Sequence, residues 1–165
     1  MTKEYLIGVI SDTHDNKSNI IKAVSKFNET GCSLVIHAGD YVAPFTAREF
    51  VKLTCPLVGV FGNNDGERKG LLTHYFPIGN LYESPHECVW YGKRFVIMHE
   101  PDYLDENLAR DDVDVIVYGH LHKVDIRTGK PLVINPGESC SWFTDYPTVV
   151  LLNLASMDVE VLELV

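Results

Sequence analysis

Apolar residues in this chain gather in short, nearly unbroken runs, and each run closes in a brief polar cluster. Tyr5–Ile10 runs into Ser11-Asp12-Thr13-His14, Ser33–His37 into Ala38-Gly39-Asp40, and Pro56–Phe61 into Gly62-Asn63-Asn64-Asp65. Arg94–Met98 ends at His99, and Val113–Tyr118 ends at Gly119-His120-Leu121-His122. Runs this short and this apolar predict strands buried on both faces, as in a parallel sheet. Ile20, Ile21, Val24 and Phe27 recur at helical spacing, so a helix is expected from a cap at Asp15 or Asn16 to about Asn28, with Gly31 at its exit. Pro44 suits the first turn of a second helix continuing through Phe50 and Leu53.

The opening half therefore reads β-α-β-α-β, and then the pattern changes. From about Asn80 to Met98 the chain predicts antiparallel strands, with Tyr91-Gly92-Lys93 as the clearest turn. A helix near Asp102 to Arg110 follows. Short strands are expected at Val124 to Arg127, Leu132 to Asn135, Thr148 to Asn153 and Val159 to Leu164, punctuated by Gly129 and Asn135-Pro136-Gly137. Two sheets packed face to face, with helices outside, fit this order best. At 165 residues the chain is expected to be one domain, 1–165.

Composition narrows the partners. The net charge of -9 argues against a general nucleic-acid binder, because phosphate backbones select basic faces. A small phosphorylated substrate stays open if bound metal supplies positive charge locally. No apolar run approaches the roughly 20 residues that cross a bilayer. No signal-like segment precedes the first strand, so the expected location is the cytoplasm. Cys32, Cys55, Cys88 and Cys140 form no Cys-x-x-Cys pair and are expected to be free thiols. A homo-oligomer is compatible with all of this.

The polar clusters carry the chemistry. Each sits at the C-terminal end of an apolar strand, the edge where open α/β sheets place their ligands. Asp12 and His14, two apart in an extended chain, are expected to point the same way. Together the clusters offer two carboxylates, one amide oxygen and four imidazoles, a set suited to Mn²⁺, Fe²⁺, Co²⁺, Ni²⁺ or Zn²⁺. Seven ligands exceed what one ion needs, so two ions sharing a bridging carboxylate are expected, with Asp40 on the central strand as the bridge.

Asp12-x-His14, Gly39-Asp40, Gly62-Asn63-Asn64-Asp65, His99 and Gly119-His120-Leu121-His122, in this order, resemble the calcineurin-like metallophosphoesterase superfamily. Within it the chain is similar to the short prokaryotic phosphodiesterases of the MJ0936 and YfcE type, which have the retromer's metallophosphoesterase-like subunit as a relative. The resemblance implies a four-layer α-β-β-α sandwich of two mixed sheets flanked by helices. It implies two divalent ions, Mn²⁺ or Ni²⁺ favoured and Fe²⁺, Co²⁺ or Zn²⁺ the alternatives. One ion would take Asp12, His14, Asp40 and His122; the other would take Asp40, Asn63, His99 and His120. The activity implied is hydrolysis of a small phosphodiester by a hydroxide shared between the ions, with His120 and Asn64 as the catalytic, substrate-touching side chains.

Two positions depart from the family pattern. Asn64 stands where relatives carry His or Cys, and an amide cannot deliver a proton to a leaving group at neutral pH. Glu100-Pro101 follows His99 in place of Gly-His. These departures keep two alternatives in view: an interaction scaffold with little catalysis, and a phosphomonoesterase. His37 is expected to be a packed or supporting histidine, and His74 and His86 surface residues. Asp65 is expected to hold its loop, and Arg68 and Lys69 to form a solvated helix end. Trp142, Phe143 and Tyr146 are open between lining a pocket, forming a contact and lying buried under a loop.

Overall fold

The computed structural model describes residues 4–165. Four strands pair in parallel: β1 (Leu6–Ile10), β2 (Leu34–His37), β3 (Leu57–Val60) and β4 (Gly79–Tyr82). Beyond β1 the same sheet continues antiparallel. Its full order, with β10 (Thr148–Asn153) and β11 (Val159–Glu163), is β11-β10-β1-β2-β3-β4. The second sheet holds β5 (His86–Trp90), β6 (Lys93–Ile97), β7 (Val115–Val117), β8 (Val124–Arg127) and β9 (Leu132–Pro136) in the order β5-β6-β7-β9-β8. Its three inner strands are parallel and its two edges antiparallel.

Burial follows from the alternation along each strand. One face of the first sheet, through Ile7, Val9, Ile36 and Val60, meets Phe95, Ile97, Val115, Val117 and Ile134 of the second. The other face packs against α1 (Lys17–Glu29), α2 (Ala47–Phe50) and α3 (Arg68–Tyr75) through Ile20, Phe27, Phe50, Leu71 and Tyr75. A third cluster, Val96, Met98, Ile116 and Tyr118, lies under α4 (Leu104–Leu108). The layers are therefore helix, sheet, sheet, helix, as the resemblance implied. Each buried aromatic or aliphatic side chain contributes about 1.5–3 kcal/mol to holding them together.

Asn16 caps α1, its side chain accepting the Asn19 amide at 3.2 Å. Two expectations are corrected. β4 pairs in parallel with β3, although antiparallel pairing was expected from about Asn80. The crossover is α3, which buries only Leu71 and Tyr75 and so shows little apolar period. The second helix also stops short of Leu53. Pro44–Thr46 forms a 3₁₀ turn, α2 adds four residues, and the exit tightens as the Lys52 and Leu53 amides reach back three residues to Glu49 and Phe50.

Candidate metal centre

Most of the residues expected at the site hold backbone conformations that L-residues avoid. Asp12, His14, Asp40, His120 and His122 have φ of 53°, 37°, 62°, 67° and 54°. Each left-handed residue costs roughly 1–2 kcal/mol and persists only where its surroundings over-determine it. They do so here. The Asp12 and His14 amides donate to the Gly39 and Asp40 carbonyls at 3.0 and 3.1 Å, and the His120 amide donates to Asp12 Oδ2 at 3.1 Å. The extended backbone expected across Asp12 to His14 is thus replaced by a strained turn. The two side chains still converge, because that turn is locked onto the loop after β2.

Glycines make the approach of these loops possible. A Cβ on Gly62 would stand 2.2 Å from Asp40 Oδ1, and one on Gly119 would stand 2.1 Å from Ser11 Oγ. The glycine preceding Asn63 and the one preceding His120 are therefore required by space.

All seven expected ligands come together, in two groups that share Asp40. Asp40 Oδ2 lies 3.3 Å from His14 Nε2 and 3.3 Å from His99 Nε2. Asp12 Oδ1 lies 3.3 Å from His122 Nε2 and 3.7 Å from His14 Nε2. On the other side, Asn63 Oδ1 is 3.0 Å from His99 Nε2 and 3.1 Å from His120 Nδ1.

The hydrogen bonds around the rings decide what belongs between them. His99 Nδ1 is 2.7 Å from the Ala38 carbonyl, which can only accept, so that nitrogen carries the proton. In the neutral ring, the lone pair on Nε2 then faces Asp40 and Asn63 oxygens, which are also acceptors. His122 repeats the arrangement, with Nδ1 2.7 Å from Glu138 Oε2 and Nε2 facing Asp12 Oδ1. Asp12 Oδ1 and His14 Nε2 are buried without a hydrogen-bond partner. Lone pairs aimed at one another in a buried place require a cation or a proton between them. The residues present fit divalent metal.

Electrostatics agree. Burial pushes the Asp40 carboxyl up, yet His99 and the Asn64 hydrogen bonds outweigh it and hold Asp40 well below the usual carboxylate range. Burial lowers His14 and His99, but the nearby Asp12 and Asp40 carboxylates win and leave both rings raised.

Supporting residues divide into the expected and the missed. Asp65 holds its loop as expected, accepting the Gly62, Asp40 and Val42 amides at 2.7, 2.9 and 2.8 Å. His37 is buried, stacked on Tyr41 and bonded to the Gly39 amide, and burial keeps it well below its ordinary pKa. Arg68 is occupied by the Asp65 carbonyl and by Glu83. Asn64 donates its side-chain amide to Asp40 Oδ2 at 2.8 Å.

Glu138 and Cys140 were not anticipated. Glu138 accepts from His122 Nδ1, from the Thr144 amide at 2.6 Å and from the Thr144 hydroxyl at 2.9 Å. The Cys140 thiol lies 3.3 Å from Glu138 Oε2. Both follow β9, a sixth strand ending at the same edge. All four cysteines are free thiols.

Beside the centre opens a cavity of about 670 Å³, lined among others by Asn64, His120, Lys123, Phe143 and Tyr146. Trp142, Phe143 and Tyr146 are 59%, 77% and 69% exposed, so they are not buried under a loop. Phe143 packs edge-on against the His122 ring at 4.6 Å, and the Trp142 indole donates to the His14 carbonyl.

Two mixed sheets face to face, with charged loops collected at one edge around a shared carboxylate, define a phosphoesterase-type α/β sandwich. Residues 5–157 match the calcineurin-like phosphoesterase superfamily domain, and the chain belongs to that superfamily. It is 37% identical over 152 residues to Phosphodiesterase MJ0936 of Methanocaldococcus jannaschii, covering 89% of this chain and 92% of that one. The solved structure of an archaeal phosphodiesterase superposes with a TM-score of 0.90 at 33% identity, over 96% of this chain and 99% of the other. YfcE, a phosphoesterase from E. coli, gives a TM-score of 0.68 at 16% identity, over 97% and 100% of the two chains, a likeness of fold alone. Among the described residues no helix is long and apolar enough to cross a membrane.

Proposed function

We propose that this protein hydrolyses phosphodiester bonds using two divalent metal ions. Asp12, His14, Asp40 and His122 would hold one ion, and Asp40, Asn63, His99 and His120 the other. One observation carries the reading: Asp40 Oδ2 stands 3.3 Å from a histidine of each group, while the facing Asp12 Oδ1 and His14 Nε2 are buried without a hydrogen bond. Bound metal would supply a hydroxide nucleophile at neutral pH and positive charge against the phosphoryl oxygens.

The chain's own residues bind and orient. Asp12 and Asp40 give the site a formal charge of about -2, so two divalent ions leave about +2, or about +1 with a hydroxide. That balance suits a diester monoanion better than a monoester dianion. His120 and Asn64 line the cavity, where they can hydrogen-bond the non-bridging phosphoryl oxygens. Lys123 adds a further positive charge to the wall. Asn64 has no proton to give a leaving group, so turnover should follow leaving-group acidity steeply. The relative named as a phosphodiesterase, at 37% identity, supports the same substrate class. The seven converging ligands count against a scaffold without catalysis, which has no physical need of them.

The test is metal analysis together with bis-p-nitrophenyl phosphate hydrolysis after loading with Mn²⁺ or Ni²⁺. Two ions per chain and metal-dependent turnover are expected, with both ions and activity lost in Asp40→Ala. Two tightly held ions in that variant would remove Asp40 as the bridge. An alkyl diester should turn over far more slowly than the nitrophenyl diester, and equal rates would place a proton donor in the site.

A further inference from the structure

The two metal subsites are not equivalent, and the difference lies in Cys140. Its Sγ, one ring nitrogen of His14 and one of His122 all lie within 4.8 Å of one another. Cys140 is fully buried, held behind the site by the loop that Glu138 ties down. Facing the same two rings is Oδ1 of Asp12, 3.3 Å from His122 Nε2 and 3.7 Å from His14 Nε2, buried without a hydrogen bond on a residue with no exposed surface. The other group, around Asn63, His99 and His120, has no sulfur among its converging atoms.

We infer that Cys140 is a further ligand of the ion held by Asp12, His14 and His122, and that this subsite therefore selects a thiophilic divalent ion. The inference rests on the dinuclear reading above and deepens it. Thiolate is a soft ligand and favours Zn²⁺, Co²⁺ or Ni²⁺ over Mn²⁺, whereas the oxygen and imidazole donors of the second subsite carry no such bias. Binding would break the S–H bond and form a metal–sulfur bond, which lowers the site's formal charge with a hydroxide from about +1 to about 0 and disfavours a monoester dianion still more than a diester monoanion. The proton leaves for solvent, with Glu138 Oε2, 3.3 Å from the sulfur, as the nearest acceptor on the way. No electron is transferred. The Cys140 thiol donates to Glu138 Oε2, so in the metal-free protein the sulfur carries its proton and the metal must displace it. Wild-type loading should accordingly release one proton more than loading of Cys140→Ser.

Cobalt reads this directly, because a cobalt–thiolate bond gives an intense near-ultraviolet charge-transfer band that oxygen and nitrogen ligands do not. The full-length chain would be loaded with Co²⁺ and its metal content and absorption recorded together. The wild type is expected to bind two cobalt ions and show the band. Cys140→Ser and Cys140→Ala are expected to lose it, while Cys88→Ser, on β5, keeps it. In Zn²⁺ against Mn²⁺ competition, Cys140→Ser should lower the preference for Zn²⁺ at one site by at least the roughly tenfold that even an outer-shell change costs.

Two bound cobalt ions without the band would overturn the role of Cys140 and leave the dinuclear reading standing. A band that survives Cys140→Ser would do the same. Absence of bound cobalt would overturn both. If Cys140→Ala is poorly folded, the wild-type spectrum alone still decides.

Discussion

Two buried carboxylates brace opposite ends of this centre, and they are built on different physics. Asp65 accepts only backbone amides, those of Gly62, Asp40 and Val42. Glu138 accepts backbone and hydroxyl groups of Thr144 but also the Nδ1–H of the His122 ring. Burial pushes both carboxyls up, yet their net shifts run in opposite senses. Burial and the nearby Asp40 charge push Asp65 up despite its three amides. At Glu138 burial also pushes up, but His122 and Thr144 outweigh it and hold the carboxyl down. Three amides do not offset burial and the Asp40 charge at Asp65, whereas the larger donor set of His122, Thr144 and Cys140 does offset burial at Glu138. Asp65 therefore shapes backbone at a cost in stability. Glu138 fixes the tautomer of His122 at little cost.

The largest effect should come from Asp65→Ala. Three buried amides lose their acceptor, each worth about 1–3 kcal/mol, so urea unfolding of the metal-free protein should show a loss of about 3 kcal/mol or more. Asp40 and Asn63 sit on the loops so released, and both ions should bind more weakly. Wild-type unfolding and full loading in this variant would remove Asp65 as the brace. A smaller and one-sided effect is expected from Glu138→Gln. The ring of His122 loses its orienting charge, and one of the two ions should weaken by roughly 10- to 100-fold, as outer-shell changes do. Chelator competition would resolve the two ions, and equal weakening of both would erase the distinction between the ends.

Only one of these braces was legible in the sequence. Asp65 closes a cluster after an apolar run, in company with Asn63, so its position announced a role. Glu138 follows Asn135-Pro136-Gly137, which reads as a plain turn, and its importance depends on a strand, β9, slotted beside β7 by pairing that no local pattern reveals. The strands themselves were plain: Val124–Arg127 and Thr148–Asn153 fall where alternation put them. The convergence of the seven side chains was legible because strand ends share an edge whatever the loop geometry. Their left-handed backbones were not, since nothing in the residue types of Asp12 or His122 demands a positive φ. The parallel pairing of β4 was hidden for a related reason, its crossover helix burying too few side chains to show a period.

The finest separation of the two braces is the sign of their pH dependence in the metal-free protein. Glu138 has an ordinary pKa of 4.5 and is held below it in the fold, so its contribution is complete above 4.5 and lost as pH falls through the folded value. Asp65 has an ordinary pKa of 3.8 and is held above it, so its contribution is greatest below 3.8 and lost as pH rises through the folded value. Two neutral replacements turn this into a measurement. The destabilisation caused by Glu138→Gln, read by urea unfolding at stepped pH, should shrink as the solution is acidified. That caused by Asp65→Asn should grow over the same acid range. Differences taken against wild type at each pH cancel the titration of sites that neither variant touches. Slopes of the same sign would mean that the two carboxylates sit in equivalent environments, and the division between a brace of backbone and a brace of a ligand would fall.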